Sequence, residues 1–205
     1  MGGYKLTYFN IKGLGEPVRY VLTQLGRDFE DIRITRESWT PDLKKKSPWG
    51  KLPTLEVGGE VLSDSMAICR YLSAGTELSG STDKENLHID IIAGAIIDFT
   101  AELRKLVRGE SEEAKAKAKA YLLEEAIPFY MSRFEEKMKE NGGYLANNKL
   151  SWVDLYLVAW SESMETACEV DLHGLGYKHF GELRKRVNSL PAIAEYRNRR
   201  PPTVL

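Results

Sequence analysis

The rhythm of the chain changes near residue 80, and that change limits the possible folds more than any other feature. Before it, strand and helix signals alternate. Lys5–Phe9 is an alternating run rich in β-formers and predicts a strand. Gly13-Leu-Gly-Glu-Pro17 is a turn running into a helix, because proline is tolerated in a first helical turn. Val18, Val21, Leu22 and Leu25 then follow at helical spacing, and Gly26 ends the helix. Phe29–Ile34 alternates again, and a polar segment with Trp39, Pro41 and three lysines follows. Thr54–Val57 and Glu60–Leu62 form two short strands, with Gly58-Gly59 as a two-residue hairpin turn between them. Ser65–Leu72 reads as a helix. The resulting order is βαβαββα, an α/β unit.

Beyond a Ser/Gly-rich stretch at 79–83 the signals are almost purely helical. The chain therefore divides into an α/β domain at 1–79, a linker at 80–84 and an all-helical domain at 85–205. Leu87, Ile91, Ala95, Ile96 and Phe99 make one apolar stripe. Glu112–Glu140 predicts one long helix bent at Pro128, and its Lys115–Ala120 segment is a solvated helix face. Ser151-Trp-Val-Asp154 opens another helix with a pattern close to a capping box. Leu183–Val187 and Ala192–Arg197 are short helices on either side of Pro191.

Composition excludes several classes. With 205 residues, 42% hydrophobic and 29% charged, the chain has the profile of a soluble globular protein. The net charge is -1. Lys and Arg against Asp and Glu stand at 11 to 10 over residues 1–80 and 18 to 20 beyond, so neither half is a nucleic-acid module by bulk charge. The longest uncharged apolar run, Ile91–Ile97, is far too short for a membrane span. The start, Met-Gly-Gly-Tyr-Lys, has no secretory h-region. Cys69 and Cys168 are too few for a disulfide framework, and the three histidines show no metal-ligand spacing. A cytoplasmic protein without a bound metal is expected.

Three places could carry chemistry. Tyr8 ends the first strand just before a Gly-rich turn, where ligands of open α/β sheets collect, although a half-buried core tyrosine would look the same. Lys51-Leu52-Pro53 leads into a strand. A cis Leu52–Pro53 bond would turn the Leu52 backbone towards a peptide-like ligand, and a trans proline at a strand start fits the sequence equally. Asp64-Ser65 opens a helix, whose N-terminus can hold a carboxylate, but plain N-capping also explains both residues. Together the three suit a small zwitterionic peptide. Dithiol redox chemistry is disfavoured, because the first strand ends in Tyr-Phe-Asn-Ile and not in cysteine.

At this point the sequence resembles the cytosolic glutathione S-transferases, in particular their sigma class. The resemblance is carried by Tyr4–Asn10, Gly15–Arg19, Phe29–Asp31, Pro48–Pro53, Asp64-Ser65, Ala67–Leu72, Gly142–Leu145, Leu150–Tyr156, Leu190–Ile193 and Arg200-Pro-Pro-Thr, in the family's order over nearly the whole chain. It implies a thioredoxin-like N-terminal domain, an all-helical C-terminal domain and a two-fold homodimer. It also implies that Tyr8 hydrogen-bonds the sulfur of glutathione, the co-substrate, and favours the thiolate. A free thiol with a pKa of about 8.5 is mostly protonated at neutral pH. By the same resemblance, Trp39 and Lys44 (or its neighbour Lys45) hold the glycine end. Lys51 and Leu52 meet the glycine carboxylate and cysteinyl backbone beside a cis Pro53. Asp64 and Ser65 hold the γ-glutamyl group, and Asp98 reaches the γ-glutamyl amine bound to the partner subunit. Arg70 belongs to the dimer interface.

The implied reaction is conjugation of the thiolate to hydrophobic electrophiles in detoxification. Their site is formed by Phe9, Leu14, Arg104, Arg108, Tyr156, Trp160 and Leu205, with helix-core packing as the competing role for Tyr156 and Trp160. Two departures stand out. Leu14 occupies a place where many sigma members carry an arginine, for which Lys12 is a possible substitute, and Asp64 replaces a common glutamine. The alternatives are a glutathione-dependent prostaglandin H₂ D-isomerase and a low-activity, crystallin-like binding protein.

Overall fold

The structure, a computed structural model, describes residues 3–203. Strand β1 (Tyr4–Phe9), helix α1 (Gly15–Gln24) and strand β2 (Phe29–Ile34) form a crossover unit, and the two strands pair in parallel. Helix α2 (Pro41–Lys46) is short and buries no residue. Strands β3 (Thr54–Val57) and β4 (Glu60–Ser63) form the hairpin, and Gly58 and Gly59 both have positive φ, as that turn demands. Helix α3 (Ser65–Ser73) closes the unit. The sheet order is β2-β1-β3-β4, with β3 antiparallel to β1. This places Tyr8 near the end of a central strand, where the chain turns over the sheet edge into α1.

Seven segments follow: α4 (Asp83–Val107), α5 (Glu112–Tyr121), a π-helical turn (Leu122–Ala126), α6 (Ile127–Glu140), α7 (Trp152–Cys168), α8 (Lys178–Asn188) and α9 (Pro191–Arg199). The helix expected over Glu112–Glu140 is thus nearly continuous. Its interruption falls just before Pro128, whose missing N–H cannot continue the ordinary ladder. The Lys/Ala face of α5 is solvated, with no buried residue on that helix.

Helix α7 is the axis of the molecule. Nearly every residue from Trp152 to Trp160 is buried, and α1, α3, α4 and α8 all lie against it. Its start is fixed by the expected capping box. The Ser151 N–H and hydroxyl donate to Asp154 Oδ2 at 2.8 and 2.7 Å, and the Leu145 N–H donates to Asp154 Oδ1 at 2.8 Å.

The apolar stripe of α4 coincides only in part with its buried face: Ile96 and Phe99 are buried, and Leu87 and Ile91 are 56% and 60% exposed. The buried face carries Ile89, Ile92, Ala93, Ile96, Phe99, Thr100 and Leu103. Apolar residues occur around most of this helix, so a period of 3.6 fits more than one stripe and cannot choose between them.

Candidate active site

The turn after β1 is built around the ring of Tyr8. A Cβ at Gly13 would lie 2.6 Å from the Tyr8 hydroxyl oxygen, and one at Gly15 would lie 2.5 Å from ring carbon Cδ1. Glycine is required at both places by close approach, and at Gly13 also by a φ of +43°. The Leu14 N–H donates to the Tyr8 hydroxyl oxygen at 3.0 Å, so the O–H proton of Tyr8 is left to point elsewhere. Burial raises the Tyr8 pKa, opposed by the Leu14 N–H and by the charges of Arg19, Arg104 and Arg108. At neutral pH Tyr8 is therefore a neutral hydrogen-bond donor and not a phenolate base.

Around it, Phe9 packs edge-on at 5.6 Å between ring centroids, and Trp39 packs edge-on to Phe9 at 6.3 Å. The loop leading to β3 is closed by Ser47, whose Oγ donates to the Lys51 carbonyl at 2.6 Å and accepts the Lys51 N–H at 3.1 Å. The Leu52–Pro53 peptide is cis. Lys44, Lys45 and Lys51 are exposed, and Lys45 lies 3.7 Å from Asp42 in a surface pair. Asp64 behaves as a helix cap. Its Oδ1 accepts the Met66 and Ala67 N–H groups at 3.1 and 3.0 Å, at a backbone φ of +75°. Two of the N–H groups that could hold an anion at the start of α3 are thus taken by the protein's own carboxylate. The buried Ser65 hydroxyl lies 2.8 Å from the Tyr156 hydroxyl of α7.

The remaining expected site residues divide. Leu14 touches Tyr8 through its backbone, and Arg104 and Arg108 are exposed on or next to α4 with their charge felt at Tyr8. Lys12 faces Glu162 of α7 at 3.5 Å. Trp160 is 1% exposed and packs edge-on against Phe99 at 5.0 Å, and Tyr156 is equally buried. Both side chains are packed in the core, with the Tyr156 hydroxyl against Ser65. Asp98 is exposed on α4 near Tyr130. Arg70 makes an exposed ion pair with Asp90 at 2.8 Å. Leu205 lies outside the described residues.

Behind this site runs a polar network that sequence reasoning missed. Glu16 and Arg19, both fully buried, pair at 3.0 Å, and Arg19 also reaches Asp31 at 3.0 Å. Glu16 receives Arg200 at 2.6 Å and the Tyr196 hydroxyl at 3.1 Å. Glu162 of α7 receives Arg197, Arg200 and the Tyr20 hydroxyl. A glutamate and an arginine three apart on an otherwise apolar helix were the available signal. Their partners, up to 184 residues away, left none.

A mixed four-stranded sheet with a cis-proline turn, joined to a helical half built on one buried helix, defines a two-part protein with a tyrosine-centred site at the end of its first strand. The chain matches the family of the glutathione S-transferase N-terminal domain over residues 4–74 and that of the C-terminal domain over 97–200. It is 36% identical to glutathione S-transferase S1 of Drosophila melanogaster over 98% of this chain and 80% of that protein. It is 34% identical to hematopoietic prostaglandin D synthase of Homo sapiens over 100% of each. The solved structure of prostaglandin synthase D of Nilaparvata lugens superposes with a TM-score of 0.93 at 42% identity, covering 98% of this chain and 100% of that one. The chain belongs to the glutathione S-transferase family.

Proposed function

We propose that this protein is a sigma-type glutathione transferase, which joins the glutathione thiolate to hydrophobic electrophiles in cytosolic detoxification. The observation that carries the reading is the Tyr8 hydroxyl, whose oxygen is occupied by the Leu14 N–H and whose O–H is free to donate a hydrogen bond to a sulfur. A neutral donor stabilises a thiolate without removing its proton itself. Each unit by which the thiol pKa falls corresponds to about 1.4 kcal/mol. Proximity of the held thiolate to the electrophile supplies the rest.

In this reading Trp39, Lys44 and Lys51 take the glycine end of glutathione, and the cis Leu52–Pro53 turn presents the Leu52 backbone to the cysteinyl residue. Ser65 and the outer oxygen of Asp64 take the γ-glutamyl group. Phe9, Leu14, Arg104 and Arg108 border the electrophile. The protein acts as a homodimer. Leu87 and Ile91 on α4 and Tyr71 on α3 are large apolar residues left exposed in the single chain, which a second copy could cover. Asp98, exposed on the same helix, reaches the γ-glutamyl amine bound to the partner subunit.

The deciding experiment is conjugation of glutathione to 1-chloro-2,4-dinitrobenzene by wild type and Tyr8→Phe. A fall in kcat/KM of about 10²-fold or more is expected for loss of a donor to developing negative charge, and equal rates would overturn the role of Tyr8. Asp98→Ala should weaken glutathione binding, and unchanged affinity would remove Asp98 from the site. A second reading, isomerisation of prostaglandin H₂, is favoured by full-length similarity to prostaglandin D synthases. Product analysis with that substrate separates the two.

A further inference from the structure

We infer that Ser163, on helix α7 of the helical half, is a positioning residue for thiolate activation, acting through the turn that carries the hydrogen bond to Tyr8. This rests on the assignment of Tyr8 as the donor to the glutathione sulfur.

The turn at 10–14 is held at three consecutive residues. The Ile11 carbonyl accepts Arg19 Nη1 at 3.1 Å. The Lys12 ammonium lies 3.5 Å from Glu162. The Gly13 N–H donates to Ser163 Oγ at 2.9 Å, across 150 residues of sequence. The next N–H, that of Leu14, is the one that donates to the Tyr8 hydroxyl. Two adjacent backbone N–H groups thus point at two hydroxyls, one on each half of the molecule.

Gly13 and Gly15 both contact the Tyr8 side chain at distances that admit no Cβ, so a small rotation of this turn moves the Leu14 N–H relative to the phenol. Ser163 is 5% exposed, and water cannot readily replace its hydroxyl as the acceptor for Gly13. The bond to Leu14 has two effects on Tyr8. It occupies the oxygen, which leaves the proton to face outward, and it polarises the O–H, which strengthens it as a donor to sulfur. Ser163 fixes the turn that delivers this bond, although it touches neither Tyr8 nor the reacting sulfur.

The test measures the pKa of glutathione bound to the full-length protein, by the ultraviolet absorbance of the thiolate and by the pH profile of kcat/KM. Wild type, Ser163→Ala, Ser163→Thr, Tyr8→Phe and the double variant Tyr8→Phe/Ser163→Ala are compared. Ser163→Ala should raise the bound thiol pKa by about half a unit, giving kcat/KM about threefold lower well below that pKa and unchanged well above it. Ser163→Thr, which keeps the hydroxyl, should restore the wild-type profile. In the Tyr8→Phe background, Ser163→Ala should add no further shift. A Ser163→Ala protein that is less heat-stable but has the wild-type thiol pKa would overturn the inference and leave Ser163 a purely structural residue. A further shift in the double variant would also overturn it, because the effect would then not pass through Tyr8. If Tyr8→Phe itself leaves the thiol pKa unmoved, the assignment of Tyr8 fails first, and with it the route proposed for Ser163.

Discussion

The turn at 10–14 and the loop at 35–51 border the same site and are built in opposite ways. The turn is anchored by buried partners from α1 and α7, and every bond that shapes it forms within the protein. The loop carries Trp39, Lys44 and Lys51 on a helix without buried residues and on exposed connections. Among the described residues, neither Lys44 nor Lys51 is in an ion pair. In the proposed reading, the end of the site that performs chemistry is held by buried partners, and the glycine end presents exposed lysines from a loop closed by Ser47. Preorganisation is concentrated where charge develops, since a misplaced donor loses rate there.

The sharpest way to break this contrast is to open the buried network behind the turn. Arg19→Met removes a fully buried guanidinium shared by Glu16 and Asp31 and leaves the buried Glu16 with Arg200 and Tyr196 as its partners, so urea unfolding should show a loss of about 3 kcal/mol. A loss under about 1 kcal/mol would mean that the network does not stiffen the turn.

Asp154, at the head of α7, gives the next largest effect, and it depends on pH. Burial pushes its carboxyl up to about 6, against the lowering effect of the bonds from Leu145 and Ser151. The folded value is above the unfolded one, so folding favours the protonated form. The associated stabilisation is complete below about pH 3.9 and lost as pH rises through about 6. Between pH 4 and pH 7 the stability of wild type relative to Asp154→Asn should fall by roughly 2–3 kcal/mol. A flat difference in urea unfolding across that range would contradict it.

On the loop, effects should be smaller and confined to binding. Lys51→Ala should raise the KM for glutathione by about 3–10-fold, an effect of about 1 kcal/mol, with melting temperature and kcat unchanged. Lys45→Ala should be nearly silent, within about twofold, because its amine belongs to a solvated surface pair. If Lys45→Ala matched Lys44→Ala in its effect on KM, the assignment of Lys44 to the glycine carboxylate would have to be revised.

The difference between the two regions also marks what was legible in the sequence. Tyr8, Lys51-Leu52-Pro53 and Asp64-Ser65 sit in short motifs and could be singled out from the sequence, whereas Trp39 and Lys44 came only from the resemblance, with Lys45 left as an alternative. The strands, the Gly58-Gly59 hairpin and the Ser151-Asp154 cap were readable for the same reason, since each is a local signal. The exposed positions of Leu87 and Ile91 were hidden because α4 is apolar on more than one face. Tyr156 and Trp160, four apart on α7, could equally line a pocket or pack in the core from their spacing alone, and both are buried in the structure. The bonds from the Gly13 N–H to Ser163 and from Arg200 to Glu16 join residues 150 and 184 positions apart, and no local pattern announces either.

The π-helical turn at Leu122–Ala126 has a consequence for how the helical half is wound. An ordinary α-helix running from Glu112 would carry one angular register through to Glu140. The wider turn adds roughly one residue to a single coil, which rotates everything after it by about 100°. Upstream, α5 buries no residue fully and rests on α4 through the half-buried Lys115, Ala118 and Lys119; downstream, Ile127, Met131, Phe134 and Met138 line up on the inner side of α6. Deleting one residue between 122 and 126 would straighten the rod and swing those four side chains a quarter-turn away from α8. The extra residue acts as a clocking device that sets which side of a continuous rod meets the core.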